Sequence, residues 1–231
     1  MTKTALIVGA GSGNSASLAR LLAREGWAVH LAARNTAKLA DLAAETGAGV
    51  HGCDVRDPAS VAALFAGIAG RLDLVVANPS ARTRGPVAEL DPEDVRTALE
   101  VTAFGSFLVG QQAAARMLAQ DPVAGVRGTI LMTGASAGVK GFPLSAPFAM
   151  GKFAQRGLAQ SMSRELHPQG IHVAWINIDG GIRNPGRTEP ADAPDSMLDP
   201  DAVARTYLDL VNQHRSAWST EISIRPWVER F

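Results

Sequence analysis

The chain has 231 residues, 46% of them apolar and 19% charged, a balance that excludes a disordered or fibrous chain and suits one domain with a sizeable core. Lys plus Arg equal Asp plus Glu at 22 each, so no net field draws it to nucleic acid, and the single cysteine, Cys53, excludes an internal disulfide and suits a reducing compartment. No apolar run reaches the roughly 18 residues that span a bilayer, and "MTKTALIV" runs too directly into a glycine turn to be a signal peptide, so a cytoplasmic protein free of the membrane is expected.

The first strand, Ala5–Val8, leads into "GAGSGNSASLA". Glycines at 9, 11 and 13 let the backbone turn tightly and approach a ligand, and a helix starting near Asn14 or Ser15 offers unpaired N–H groups to a phosphate. Gly9, Gly11, Ser12, Gly13 and Asn14 are therefore the expected cradle for a dinucleotide. A tight strand-to-helix turn needs glycine for its own sake, but the place of this one, at the first junction of an alternating chain, favours the cradle. After the helix "SASLARLLAREG" and a strand at Ala28–Ala32 comes "LAARNTAK". An NAD-specific site holds an acid at this point; here Arg34 and Asn35 suit a 2′-phosphate, so NADP(H) is favoured over NAD(H). The alternative is an arginine solvated at a helix start.

Further along, "TAKLADLAAETG", "PASVAALFAGIAG", Pro92–Ala119 and "FAMGKFAQRGLAQSMSREL" read as helices. Between and after them, strands are predicted at Gly49–Cys53, Leu72–Ala77, Thr129–Thr133, His172–Ile176 and Glu221–Ile224. This alternation predicts a doubly wound, Rossmann type of α/β fold: a single three-layer α/β/α domain over 1–231 with a parallel sheet of about seven strands. Prolines keep "RNPGRTEPADAPDSM", Arg183–Met197, out of regular structure. It follows the sixth strand on the ligand side, where a covering loop is expected and an inert excursion is the alternative. Arg183 and Arg187 within it hint at an anionic ligand, although loop arginines are usually solvated. The aromatics of the terminal "RPWVERF" suggest a subunit contact.

Phe148 and Lys152 in "FAMGK" share one helix face. A tyrosine at 148 would be a phenol tuned by the adjacent cation, whereas phenylalanine has no proton to give. Gly151 and Gly157 in the same helix suit close packing by a neighbouring helix. His30, His51, His167, His172 and His214 show no metal-ligand spacing, and no metal is expected.

Taken in order, these segments resemble the short-chain dehydrogenase/reductase family over nearly the whole chain. "GAGSGNS" is similar to its TGxxxGxG turn, with Ser15 in place of the last glycine. "CDVRD" matches its acid-Val element, which implies that Asp54 and Val55 border the adenine. "LDLVVANPSA" is similar to LVNNAG, with Asn78 in place. "LEVTAFGSFL", "GTILMTGASAG", "FAMGK" and "IHVAWINIDGGI" follow in register, the last with Asp179 where proline is usual and with Ile182 among the implied cofactor residues.

The resemblance implies hydride transfer between a nicotinamide and a carbonyl or alcohol, carried by Asn, Ser, Tyr and Lys. Those positions fall on Thr102, Ala135, Phe148 and Lys152, so only the lysine is kept. Lysine in the family also binds the nicotinamide ribose, a role that needs no tyrosine. The resemblance further implies a homodimer or homotetramer built on the helices Pro92–Ala119 and Phe148–Glu165. Two readings follow: an atypical NADP(H) oxidoreductase acting on a small carbonyl or alcohol by an altered proton path, or a non-catalytic NADP(H)-binding or sensing protein. An emptied scaffold is disfavoured by Asp54, Asn78 and Lys152. Ser136, Ser145 and Thr102 are the hydroxyls that could replace the missing donor, against the ordinary reading that each bonds its own backbone.

Overall fold

The structure, a computed structural model, describes residues 2–229; Phe231 of the aromatic tail lies outside them. Seven strands form one parallel sheet: β1 (Thr4–Val8), β2 (Ala28–Ala33), β3 (Gly49–Gly52), β4 (Leu74–Ala77), β5 (Gly128–Thr133), β6 (Ile171–Ile178) and β7 (Glu221–Ile224). Their order is β3-β2-β1-β4-β5-β6-β7. The chain winds outward from β1 to β3, returns to β4, and winds the other way. The crevice for a ligand therefore opens at the carboxyl ends of β1 and β4, where the direction reverses.

The central strands read "LVVA", "GTILMT" and "IHVAWINI" and are buried along their whole length. A parallel sheet covered on both faces requires such runs. Alternate residues of β1 feed two cores. Leu6 and Val8 pack with Val61, Leu64 and Phe65 of α3 (Pro58–Ala66), while Ala5 and Ile7 pack with Leu18 and Leu22 of α1 (Asn14–Arg24). A short α2 (Ala40–Thr46) connects β2 to β3.

The stretch Pro92–Ala119 is not one regular helix. It is α4 (Pro92–Leu99), a wider π turn at Glu100–Phe104, and α5 (Gly105–Leu118). Such turns are frequent at functional sites, and this one carries Thr102. The next helix, α6 (Ala146–Leu166), carries Phe148 and Lys152.

A final helix, α7 (Pro200–Val211), is absent from the sequence prediction. Asp199 accepts hydrogen bonds from the Asp201 and Ala202 amides at 2.7 and 2.9 Å, and Pro200 takes the first helical position, a start signal hidden behind the proline-rich loop. Its buried residues Val203, Ala204, Tyr207 and Leu210 recur at helical spacing. Arg183 pairs with Glu189 and Asp199, which closes the base of the 183–197 loop. Among the described residues no helix is long and apolar enough to cross a membrane.

Candidate cofactor and substrate cleft

At the carboxyl end of β1, Gly9 has φ +80, and a Cβ there would stand 2.8 Å from the Asn78 carbonyl. No other residue type fits both constraints. The Asn78 amide donates to the Gly9 carbonyl at 3.2 Å and to Ser15 Oγ at 2.9 Å. Asn78 is thus a brace for the glycine turn, and Ser15 supplies one of its acceptors. A Cβ at Gly11 or Gly13 would meet nothing within 4 Å, so both open onto the crevice. The helix α1 begins at Asn14 with no side-chain cap and no acid in its first turn. Its free N–H groups and positive dipole end fit a diphosphate.

From the turn a groove of about 560 Å³ runs over Ser12, Arg34, Lys38 and Val55. Among the described residues no carboxylate lines it. Asn35, predicted with Arg34, also borders it, but its side chain accepts from the Ala37 amide at 3.1 Å and caps the following turn. Lys38 was not foreseen; its position four residues after Arg34 was the available signal. Asp54, expected at the adenine with Val55, is absent from the groove lining; its carboxylate pairs with Arg56 at 2.6 Å, and that bond holds it at about 2, well below the usual carboxylate range.

The inner end, about 290 Å³, is walled by Asn14, Ala135, Phe148, Lys152 and Ile182, with Arg82 and Arg187 at its mouth. Lys152 is 2% exposed. Its Nζ donates to the Thr133 carbonyl at 2.6 Å and to Gln155 Oε1 at 3.2 Å. The Gln155 amide donates to Ser106 Oγ at 2.8 Å, and Ser106 in turn to the Thr102 carbonyl at 2.6 Å. Burial, with a smaller contribution from Arg82, lowers the Lys152 ammonium to about 7. Behind it, Tyr207, the only tyrosine of the chain, lies fully buried with its hydroxyl 2.8 Å from Thr133 Oγ1. Burial raises that phenol to about 12.

Thr102 does not reach the cleft. Its hydroxyl accepts the Ala81 amide at 3.0 Å, and a Cβ at Gly151 would come within 2.9 Å of its own Cβ. Gly151 is therefore a packing glycine as predicted, whereas Gly157 faces open space. Ser136 and Ser145 do line an outer recess of about 250 Å³, together with Arg82, Arg84, Phe142 and Phe148. The Arg82 guanidinium sits 4.2 Å from the centre of the Phe148 ring. Arg82, Arg84 and Gln155 carried no sequence signal: a loop after a strand has no periodicity, and a buried glutamine on a helix looks like an exposed one.

The geometry is a crevice with an anion-binding turn, a groove ending in two cations and an inner wall bearing a buried lysine. The family model for short chain dehydrogenases matches residues 3–189. Among characterised relatives, the L-2,3-butanediol dehydrogenase of Corynebacterium glutamicum is 30% identical over 218 residues, 90% of this chain and 82% of that one. The crystal structure of a short-chain dehydrogenase from Rhodopseudomonas palustris superposes with a TM-score of 0.81 at 35% identity, covering 97% of this chain and 99% of that one. A metagenomic short-chain oxidoreductase in complex with NADP superposes with a TM-score of 0.83 at 26% identity, covering 98% of each chain. The match extends through the glycine turn, the inner wall and the sheet that holds them, and on it the chain belongs to the short-chain dehydrogenase family.

Proposed function

We propose that the protein is an NADP(H)-dependent oxidoreductase acting on a small carbonyl or alcohol, with Lys152 rather than a phenol holding the proton. The observation that carries this reading is the buried Lys152 ammonium on the same wall as Phe148, lowered to about 7. The residues that would hold the cofactor are Gly9, Gly11, Ser12, Gly13 and Asn14 at the diphosphate, Arg34 and Lys38 at a 2′-phosphate, Val55 at the adenine, and Ile182 and Lys152 at the nicotinamide end. Bound there, the nicotinamide would supply or accept the hydride. Lys152, its ammonium lowered to about 7 by burial, gives its proton to the carbonyl oxygen during reduction and takes it back from the alcohol during oxidation. Phe148 keeps the wall dry and apolar and contributes no proton.

NADPH absorbance with a panel of ketones and aldehydes tests the reading, with slow but saturable oxidation expected. Tight NADPH binding with no oxidation by any of them would favour the alternative, an NADP(H)-binding or sensing protein, for which the phenylalanine at 148 speaks.

The cofactor preference has its own test. Arg34 and Lys38 border a groove without a carboxylate, so NADPH is expected to bind more tightly than NADH. Arg34→Ala should narrow the gap by about 1–2 kcal/mol, the scale of one charge-assisted hydrogen bond, and Arg34→Ala with Lys38→Ala should narrow it further. Calorimetry that finds equal affinities in the natural protein would refute the preference.

Assembly belongs to the same reading. Phe104, Phe107, Met150 and Phe153 are 41–51% exposed on the π turn, α5 and α6, and Gly157 of α6 leaves open space beside it. A homodimer or homotetramer that covers these faces is expected. Light scattering that finds a monomer at micromolar concentration would contradict it.

A further inference from the structure

Seven arginines of the fold, Arg20, Arg56, Arg71, Arg96, Arg156, Arg183 and Arg225, pair with Asp or Glu, and others, such as Arg116 and Arg127, bond backbone carbonyls instead. Among the described residues, no carboxylate lies within ion-pair distance of Arg82, Arg84 or Arg187, and these three gather at one place. Arg82 and Arg84 line the outer recess beside Phe142, Ser145 and Phe148, while Arg82 and Arg187 stand together at the mouth of the inner pocket. Partial burial and the charges of Arg187 and Arg84 lower the Arg82 guanidinium from its ordinary value, and Arg82 in turn acts on Lys152. Among the described residues lining the two pockets there is no Asp or Glu, so solvent alone screens the mutual repulsion of the cluster.

Arg82, Arg84 and Arg187 are all exposed to solvent, and in a loose loop such side chains would disperse. This one is pinned at both ends. The Ala81 amide donates to Thr102 Oγ1 at 3.0 Å, and the Gly85 amide donates to the Leu144 carbonyl at 3.1 Å, which ties the arginine loop to the loop carrying Phe142 and Ser145. Arg82 is further seated on the Phe148 ring, where the quadrupole of the ring attracts a cation. The anchored backbone thus keeps both arginines beside a small recess, and guanidinium forks match the planar oxygens of a carboxylate or the oxygens of a phosphate.

We propose that the substrate is an anionic carbonyl or alcohol whose oxyanion, a carboxylate or a phosphate monoester, is bound by Arg82 and Arg84 with Arg187 facing it from the 183–197 loop. The proposal rests on the oxidoreductase reading for the word substrate, but the oxyanion site itself is a binding property that stands apart from turnover. A recess of about 250 Å³ limits the ligand to a few carbons beyond the anionic group. The reacting carbon then lies next to Phe148 and Lys152, so the anion is expected close to it in the molecule, as in a 2-oxo acid or a short phosphorylated ketone.

The test is calorimetric titration of the full chain, bare and NADPH-loaded, with unreactive probes in matched pairs. Oxamate against ethyl oxamate is the carboxylate arm, and glycerol 3-phosphate against glycerol is the phosphate arm. At least one anion is expected to bind about tenfold more tightly than its neutral partner, and the arm that responds identifies the group. Arg82→Ala and Arg84→Ala should each remove about tenfold, the effect of one charge-assisted contact, while Arg84→Lys should retain part of the affinity. Equal binding of anion and neutral partner in both arms would overturn the proposal. So would a loss of NADPH affinity in Arg82→Ala and Arg84→Ala as large as the loss for the probe, because the arginines would then serve the cofactor. If the natural protein does not bind NADPH, the oxidoreductase reading falls, and titration of the bare chain still decides the oxyanion site.

Discussion

Phe148→Tyr combined with Ala135→Ser is expected to raise NADPH-dependent carbonyl reduction by at least about tenfold, since a well-placed proton donor contributes roughly 10²- to 10⁴-fold. Phe148 is 7% exposed and its ring lies between the Arg82 guanidinium and the helix face that carries Lys152. A phenol on that ring would have the Arg82 guanidinium for a neighbour, which favours its ionised form and makes it a better acid than free tyrosine. Ala135 has an extended backbone and borders both the inner and the outer pocket, so a serine hydroxyl there opens onto the same space. Each single change should do less than the pair, because groups that act on one oxygen are not additive. The comparison is made by NADPH absorbance on wild type, both singles and the double. A double variant that binds NADPH as before and is no faster would show that the wall differs from an active one by more than two missing hydroxyls.

Lys152→Met is expected to abolish what turnover the natural protein has, by about a hundredfold or more, and to change how stability depends on pH. In the natural protein the reduction rate should fall as pH rises through about 7, where the ammonium loses its proton. The stability effect has the opposite sense. The folded-state value of about 7 lies below the ordinary lysine value of 10.5, so between these two pH values the unfolded chain binds the additional proton and stability rises with pH. Below about 7 both states are protonated and the full penalty of burying the charge is present; above 10.5 it is gone. Methionine removes the titration, so urea unfolding of the variant should show a flatter profile across that window. Identical slopes for wild type and variant would mean that Lys152 keeps an ordinary value when folded.

The sheet was legible because parallel strands buried on both faces must be short apolar runs, and Ala5–Val8 or Thr129–Thr133 can hardly be read otherwise. Strand order and the reversal beside β1 are products of tertiary winding, which local pattern does not contain. The helix α7 was hidden because prolines before it read as punctuation, although Asp199–Pro200 is a helix start and Val203, Tyr207 and Leu210 form its buried stripe. At the glycine turn the residue types themselves carried the reading, since positive φ and close approach need glycine. At the substrate end they did not. Asp54 and Arg183 read in sequence as free charges, but in the fold Asp54 pairs with Arg56 and Arg183 with Glu189 and Asp199, and the arginine loop at 82–84 acquires meaning only when the anchors on Thr102 and Leu144 fold it over Phe148.

The catalytic expectations depend on the crevice between β1 and β4 accepting the cofactor and on Lys152 holding the proton. Calorimetric titration of the natural protein with NADPH, followed at once by its absorbance in the presence of a small 2-oxo acid, should give saturable binding with one NADPH per chain and slow oxidation that is fastest below pH 7. No heat of binding at millimolar NADPH, or rapid oxidation that Lys152→Met leaves intact, would contradict it.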